Sequence, residues 1–210
     1  MTKSKGHWTP CAFGWLPDKT EMSYKVFFLM IKKKLEEMDL SLKVKSCLCN
    51  FEMNILKAND EMVKAEICGC LFHHKSCFQR RVDQKGFKSR YENDEYFREF
   101  IKQACGLAHL PIADVEEGLK YIENKFSFDD ELATLFKADF IRYINEFWIH
   151  GCLPPRTWNV FGRSEDLTNN NQEGFNAKMN RELKESHPSP GTYFYVFFNM
   201  FIKNVCFSKN

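Results

Sequence analysis

From His73 onward the apolar residues of this chain recur every three or four positions for roughly eighty residues, and no other feature restricts its fold as much. A spacing of three and four lines side chains along one face of an α-helix, whereas a half-buried strand would need alternation. Phe97, Phe100, Ile101, Ala104 and Ala108 form one stripe, broken at Pro111. Val115, Leu119 and Ile122 form a second. Leu132, Leu135, Phe136, Phe140, Tyr143, Ile144, Phe147 and Trp148 form the longest, ended by Gly151 and then Pro154-Pro155. The middle of the chain is therefore expected to be all-helical.

The part before it has a different rhythm. Residues 9–16 (TPCAFGWL) predict a strand that ends at the turn Pro17-Asp18. A helix follows, with Tyr24, Phe27, Phe28, Ile31, Leu35 and Met38 on one stripe and Lys32, Lys33 and Lys34 outside it. Residues 43–49 predict a short strand, Asn50 opens a helix carrying Ile55, Leu56, Met62 and Val63, and residues 65–70 predict another strand. Strand, helix, strand, helix, strand is the pattern of α/β layers. Beyond the helical middle, a polar loop over residues 159–170 leads to a helix holding Phe175, Met179 and Leu183. The aromatic run at residues 192–202 (TYFYVFFNMFI) predicts a buried terminal helix or strand, because it falls short of the roughly twenty apolar residues that span a bilayer.

A chain of 210 residues that is 44% hydrophobic and carries 21 Phe has the means for a bulky core, in one domain or one domain with an insertion. Its net charge of +2 and its short basic clusters do not by themselves imply nucleic acid. Nine cysteines, an odd number, with no apolar segment after MTKSKGHW, point to reduced thiols in a nuclear or cytoplasmic protein that is neither secreted nor in a membrane.

Three stretches could carry chemistry. ICGCLFHHKSCFQRR, residues 67–81, invites a zinc reading, but on a helix Cys70 and Cys77 are about 10 Å apart along the axis. One tetrahedral ion with ligand bonds near 2.3 Å cannot join both. Cys70 and His73 are expected to pack without metal, largely buried at the start of a helix. In CNFEMN, residues 49–54, Asn50 stands where a strand gives way to a helix, a place that suits an N-cap and, in open α/β sheets, a ligand or catalytic carboxylate. In TNNNQEGFNAKMN, residues 168–180, Asn170 and Glu173 are spaced as in a capping box, and Glu173 could equally bring a carboxylate to a cleft.

Taken together, these stretches resemble the Mutator-like element (MULE) transposases, a family related to the domains that accompany FLYWCH fingers. The resemblance runs in order through Trp15-Leu16-Pro17-Asp18-Lys19 with Tyr24, Asn50-Phe51-Glu52, Gly69-Cys70-Leu71-Phe72-His73, Phe97-Arg98, Leu107-Ala108-His109-Leu110-Pro111, Pro154-Pro155 with Trp158-Asn159, and Thr168-Asn169-Asn170 with Glu173-Gly174-Phe175. It implies a ribonuclease-H-like α/β core of few short strands, interrupted by a large all-helical insertion: core over residues 1–80, insertion over 81–158, and a C-terminal core helix with the Glu motif over 159–210. Members of such a family cut DNA with two divalent ions, Mg²⁺ or Mn²⁺, held by Asp, Asp and Glu.

In this chain the resemblance puts the first Asp on a strand ahead of residue 1, replaces the second by Asn50, and leaves Glu173 as the one residual metal ligand; Leu167 stands where an Arg is usual. The expectation is a transposase-derived domain that binds no metal well and does not cut, with DNA as partner and self-association open. Two other readings stand beside it: an active nuclease whose first Asp comes from upstream sequence, and a zinc-stabilised interaction module using Cys70 and His73.

Overall fold

The computed structural model describes residues 2–4, 7–9, 11–41, 43–163, 167–168, 170–183 and 189–207. These fall into two compact units, Ala12–Thr168 and a second made of Met1–Cys11 with Asn169–Asn210. The architecture is mixed but mostly helical. In chain order the elements are the strands β1 (Thr2–Ser4) and β2 (His7–Thr9), helix α1 (Glu21–Glu36), strand β3 (Ser46–Cys49), α2 (Met53–Met62), strand β4 (Glu66–Gly69), α3 (Leu71–Gln84), α4 (Lys88–Asn93), α5 (Glu95–Gly106), α6 (Val115–Lys125), α7 (Glu131–Tyr143), α8 (Pro155–Trp158), α9 (Asn170–Leu183) and α10 (Pro190–Phe207). Short 3-10 turns at Leu107–His109 and Ile112–Asp114 join α5 to α6, and α7 runs on into a π-helical stretch, Ile144–Ile149.

Strands β3 and β4 pair in parallel, Ser46 against Glu66 through Cys49 against Gly69, and α2 is the crossover that parallel pairing requires. Asn59 closes that crossover: it is buried, and its Nδ2 donates to the Ala65 carbonyl at 2.9 Å. Gly69 has a steric reason as well, since a Cβ there would run into the Phe51 ring.

The helical middle forms around its stripes. Phe97, Phe100, Ile101, Ala104 and Ala108 are all buried, as are Val115, Leu119 and Ile122. Asp94 and Asp130 cap α5 and α7 by accepting from Phe97 N and Ala133 N, and Arg90 bonds to both carboxylates. The rings of Phe78, Phe97, Phe100, Phe136 and Phe140 interlock with centroids 5.3–6.3 Å apart, tilted or edge-on except for Phe136, which stacks on Phe140 at 17°, all distances that aromatic quadrupoles favour. This core is continuous with the strand pair through Cys49, Phe51, Leu71 and Trp148.

Several expectations change. Residues 11–16 form no strand, and the strand near that end is β2, paired antiparallel with β1. An extended run becomes a strand only where another strand meets it. On α7 the buried face holds Ala133 and Phe136, whereas Leu132 and Leu135 are exposed at 72% and 60%. Helix α1 packs on α2 through its half-buried Tyr24, Phe27, Phe28, Ile31 and Leu35, but Met38 is exposed, as are Met22, Val26, Leu29 and Met30 on another face. In the expected polar loop, Asn159 and Val160 are buried.

In the smaller unit, α9 and α10 pack through Met179, Leu183, Phe175, Tyr193, Val196 and Phe197. The aromatic run is helical, but Phe194, Tyr195 and Phe198 are exposed, so the expected burial is only partial. Among the described residues no helix is long and apolar enough to cross a membrane.

Candidate functional site

Strand β3 delivers Asn50 at its carboxyl end, and the chain then turns sharply. Asn50 is exposed and lies before the helix rather than capping it; Glu52 is the N-cap residue of α2. The turn is made at Phe51, whose φ of 65° lies in the left-handed region that a side chain rarely adopts. What holds Phe51 there is its ring, buried against Trp148 at 5.2 Å edge-on and against His74 at 6.4 Å. A strained backbone is kept where packing over-determines it.

Glu52 ties two of the motifs together. Tyr24 donates its hydroxyl to Glu52 Oε1 at 2.6 Å, Lys19 Nζ lies 3.8 Å from Oε2, and Asn54 Nδ2 donates to the Lys19 carbonyl at 2.7 Å. Burial and the Glu52 carboxylate push the Tyr24 hydroxyl up to about 12, so it stays a donor. Asp18 accepts from Thr20 and Ser23 and so fixes the start of α1, which keeps Tyr24 aimed at α2.

On β4 the next motif follows at once. Cys70 N donates to the Cys49 carbonyl, and Leu71 N to the Leu167 carbonyl, each at 2.9 Å. Residue 167 of the late Thr-Asn motif is thereby fastened to the Gly-Cys-x-Phe-His stretch. Cys70 is fully buried at the N-cap of α3, as expected. His73 is only half-buried; the fully buried histidine is its neighbour, His74.

Sequence reasoning missed His74, although its position one turn ahead of Phe78 was visible. Its ring stacks on Trp158 at 4.8 Å and 9°, meets Trp148 edge-on at 4.8 Å, and touches Phe78 at 4.6 Å. Neither ring nitrogen has a hydrogen-bond partner among the described residues. Burial, helped by the positive fields of Lys75 and His109, lowers its pKa to about 3, which keeps the imidazole neutral. Trp158 is held in turn by donating Nε1 to the carbonyls of Trp148 and Leu153, at 2.7 and 2.9 Å. Asn159 bridges outward, donating to the Leu110 carbonyl and accepting from Phe161 N.

Two thiols of β3, Cys47 and Cys49, are poor nucleophiles. Burial raises Cys47 and pushes Cys49 up to about 12, far from the thiolate that metals and substrates require. Among the described residues no group of three His, Cys, Asp or Glu side chains is arranged to hold a metal ion.

Glu173 lies half-buried in the first turn of α9, in the other unit. Asn170 is the first helical residue of α9, and Asn169, before it, lies outside the described residues. No family model, curated protein or solved structure matches the chain.

Proposed function

We propose that this chain is a transposase-derived domain of the Mutator-like type, built on a ribonuclease-H-like core, that binds DNA and does not cut it. The observation that carries the reading is the meeting of distant motif stretches around the carboxyl ends of β3 and β4. Lys19 and Tyr24 reach Glu52, Leu167 bonds to Leu71, and Trp158 stacks on His74 beside Phe51. In an open α/β sheet that end is where ligands and catalytic groups gather.

The residues there do not suit a pair of divalent ions. Such ions need charged oxygens, and position 50 offers a neutral amide. The carboxylate of Glu52 is already engaged by Tyr24 and Lys19. What remains available to the reading is recognition without hydrolysis.

The test is a Mn²⁺-dependent nicking assay, run beside a mobility-shift assay on the same duplex DNA. The unmodified chain is expected to retard DNA and leave it uncut, and Asn50→Asp alone to restore nothing, because a single acid leaves the two-ion charge unmatched. Metal-dependent cutting that disappears in Glu173→Ala overturns the loss of cutting. Failure to retard DNA at low salt overturns the binding.

A further inference from the structure

We infer that the cleft between α3 and α5 binds a phosphate monoester carried on a flat ring, the chemistry of a nucleoside monophosphate. The cleft has a volume of about 460 Å³, within the range of small-molecule sites. Each wall is one helix face. Phe72, Lys75 and Gln79 recur at three and four along α3, and Lys102 and His109 share a face that continues from α5 into the 3-10 turn.

Charge decides the ligand class. Lys75, Lys102 and His109 come together with no carboxylate in the lining, and among the described residues none of the three is in an ion pair. Several other cations of this chain are paired: Lys25 with Glu21 and Glu61, Arg90 with Asp94 and Asp130, Arg81 and Lys85 with Asp139. Two lysines facing one space leave a charge of about +2, which a phosphate monoester of about −1.5 to −2 offsets and a single carboxylate does not.

The apolar part of the lining selects what carries the phosphate. Phe72 is 54% exposed at the rim, and Tyr91 lies within the cleft, so a planar ring has aromatic faces to stack on. Cys105, also in the lining, is pushed up to about 11 by burial, which leaves a neutral thiol suited to packing rather than to covalent or metal chemistry.

The inference stands on the cleft alone and is independent of the fate of Asn50. Its test is titration calorimetry of the whole chain with adenosine monophosphate, inorganic phosphate, adenosine, and an oligonucleotide with and without a 5′-phosphate. Adenosine monophosphate is expected to bind more tightly than phosphate or adenosine. Binding of the phosphorylated oligonucleotide but not its unphosphorylated form would name a strand end as the natural source; binding of the free nucleotide alone would name a metabolite. Lys75→Ala and Lys102→Ala should each weaken adenosine monophosphate about tenfold, the loss of one charge-assisted hydrogen bond, and Phe72→Ala by a similar factor from lost stacking. In the unmodified chain, NMR shifts on titration should concentrate at the Gly106 amide and the Gln79 side chain. No binding of adenosine monophosphate overturns the inference, as do unchanged affinity in both lysine variants, shifts elsewhere, or binding of adenosine as tight as that of adenosine monophosphate.

Discussion

Replacing His74 by Phe isolates the energetics of the one buried imidazole whose nitrogens have no partner among the described residues. The ring is fully buried, and its pKa falls from 6.5 to about 3. Above pH 6.5 the imidazole is neutral in both states and contributes no pH dependence. As pH falls below that value the unfolded chain takes up a proton that the folded chain refuses, so stability drops steadily until about pH 3. At pH 5 the difference is about 1.5 pH units, and at roughly 1.4 kcal/mol per unit the cost is about 2 kcal/mol.

His74→Phe removes that term. At pH 7 two opposing effects nearly cancel: relief of unsatisfied polar atoms, at about 1–3 kcal/mol, against the strain of a slightly larger ring between Trp158 and Trp148, also about 1–3 kcal/mol. The informative quantity is therefore the change with pH. Urea midpoints measured from pH 7 to pH 5 should fall more steeply for the unmodified chain than for His74→Phe, with a gap growing by about 2 kcal/mol. The carboxylates common to both chains cancel in the comparison. Parallel profiles would refute the reasoning and place a proton or a partner on the ring.

Two further perturbations probe the same region by urea denaturation at pH 7. Trp158→Phe keeps most of the ring stack on His74 but leaves the carbonyls of Trp148 and Leu153 without their donor, so a loss of about 1–3 kcal/mol is expected; a loss under half a kcal/mol would mean those carbonyls find water. Tyr24→Phe removes the hydroxyl from Glu52 in a partly solvated setting, which should cost about 1 kcal/mol, and Glu52→Gln should cost no more when Tyr24 is already Phe.

Local periodicity carries its own information, which is why the stripes of α5 and α6 could be read from the chain. Phe97, Phe100, Ile101 and Ala104, or Val115, Leu119 and Ile122, leave a helix only one apolar face to bury. The βαβ unit at residues 46–69 was legible for a similar reason, since two short β-rich runs flank a helical period. Which of two candidate faces turns inward is a different matter. On α7 both Leu132 with Leu135 and Ala133 with Phe136 fit the period, and only the neighbours across the core select the second pair. His73 and His74 differ by one position, or about 100° around the helix axis, so the sequence named a histidine near the strand end while packing against Trp148 and Trp158 chose His74.

At the candidate site the division falls between type and place. The residue types at Asn50, Glu52, Gly69 and Cys70 marked the end of β3 and the start of α3. That Glu52 rather than Asn50 sits at the N-cap followed from the Phe51 ring, which is drawn into the core and forces φ positive two residues after the strand. The link of Lys19 and Tyr24 to Glu52, and of Leu167 to Leu71, joins residues far apart in the chain. Hydrogen bonds of that kind leave no periodic trace in the sequence, and they exist only once tertiary packing has brought the two stretches within about 3 Å.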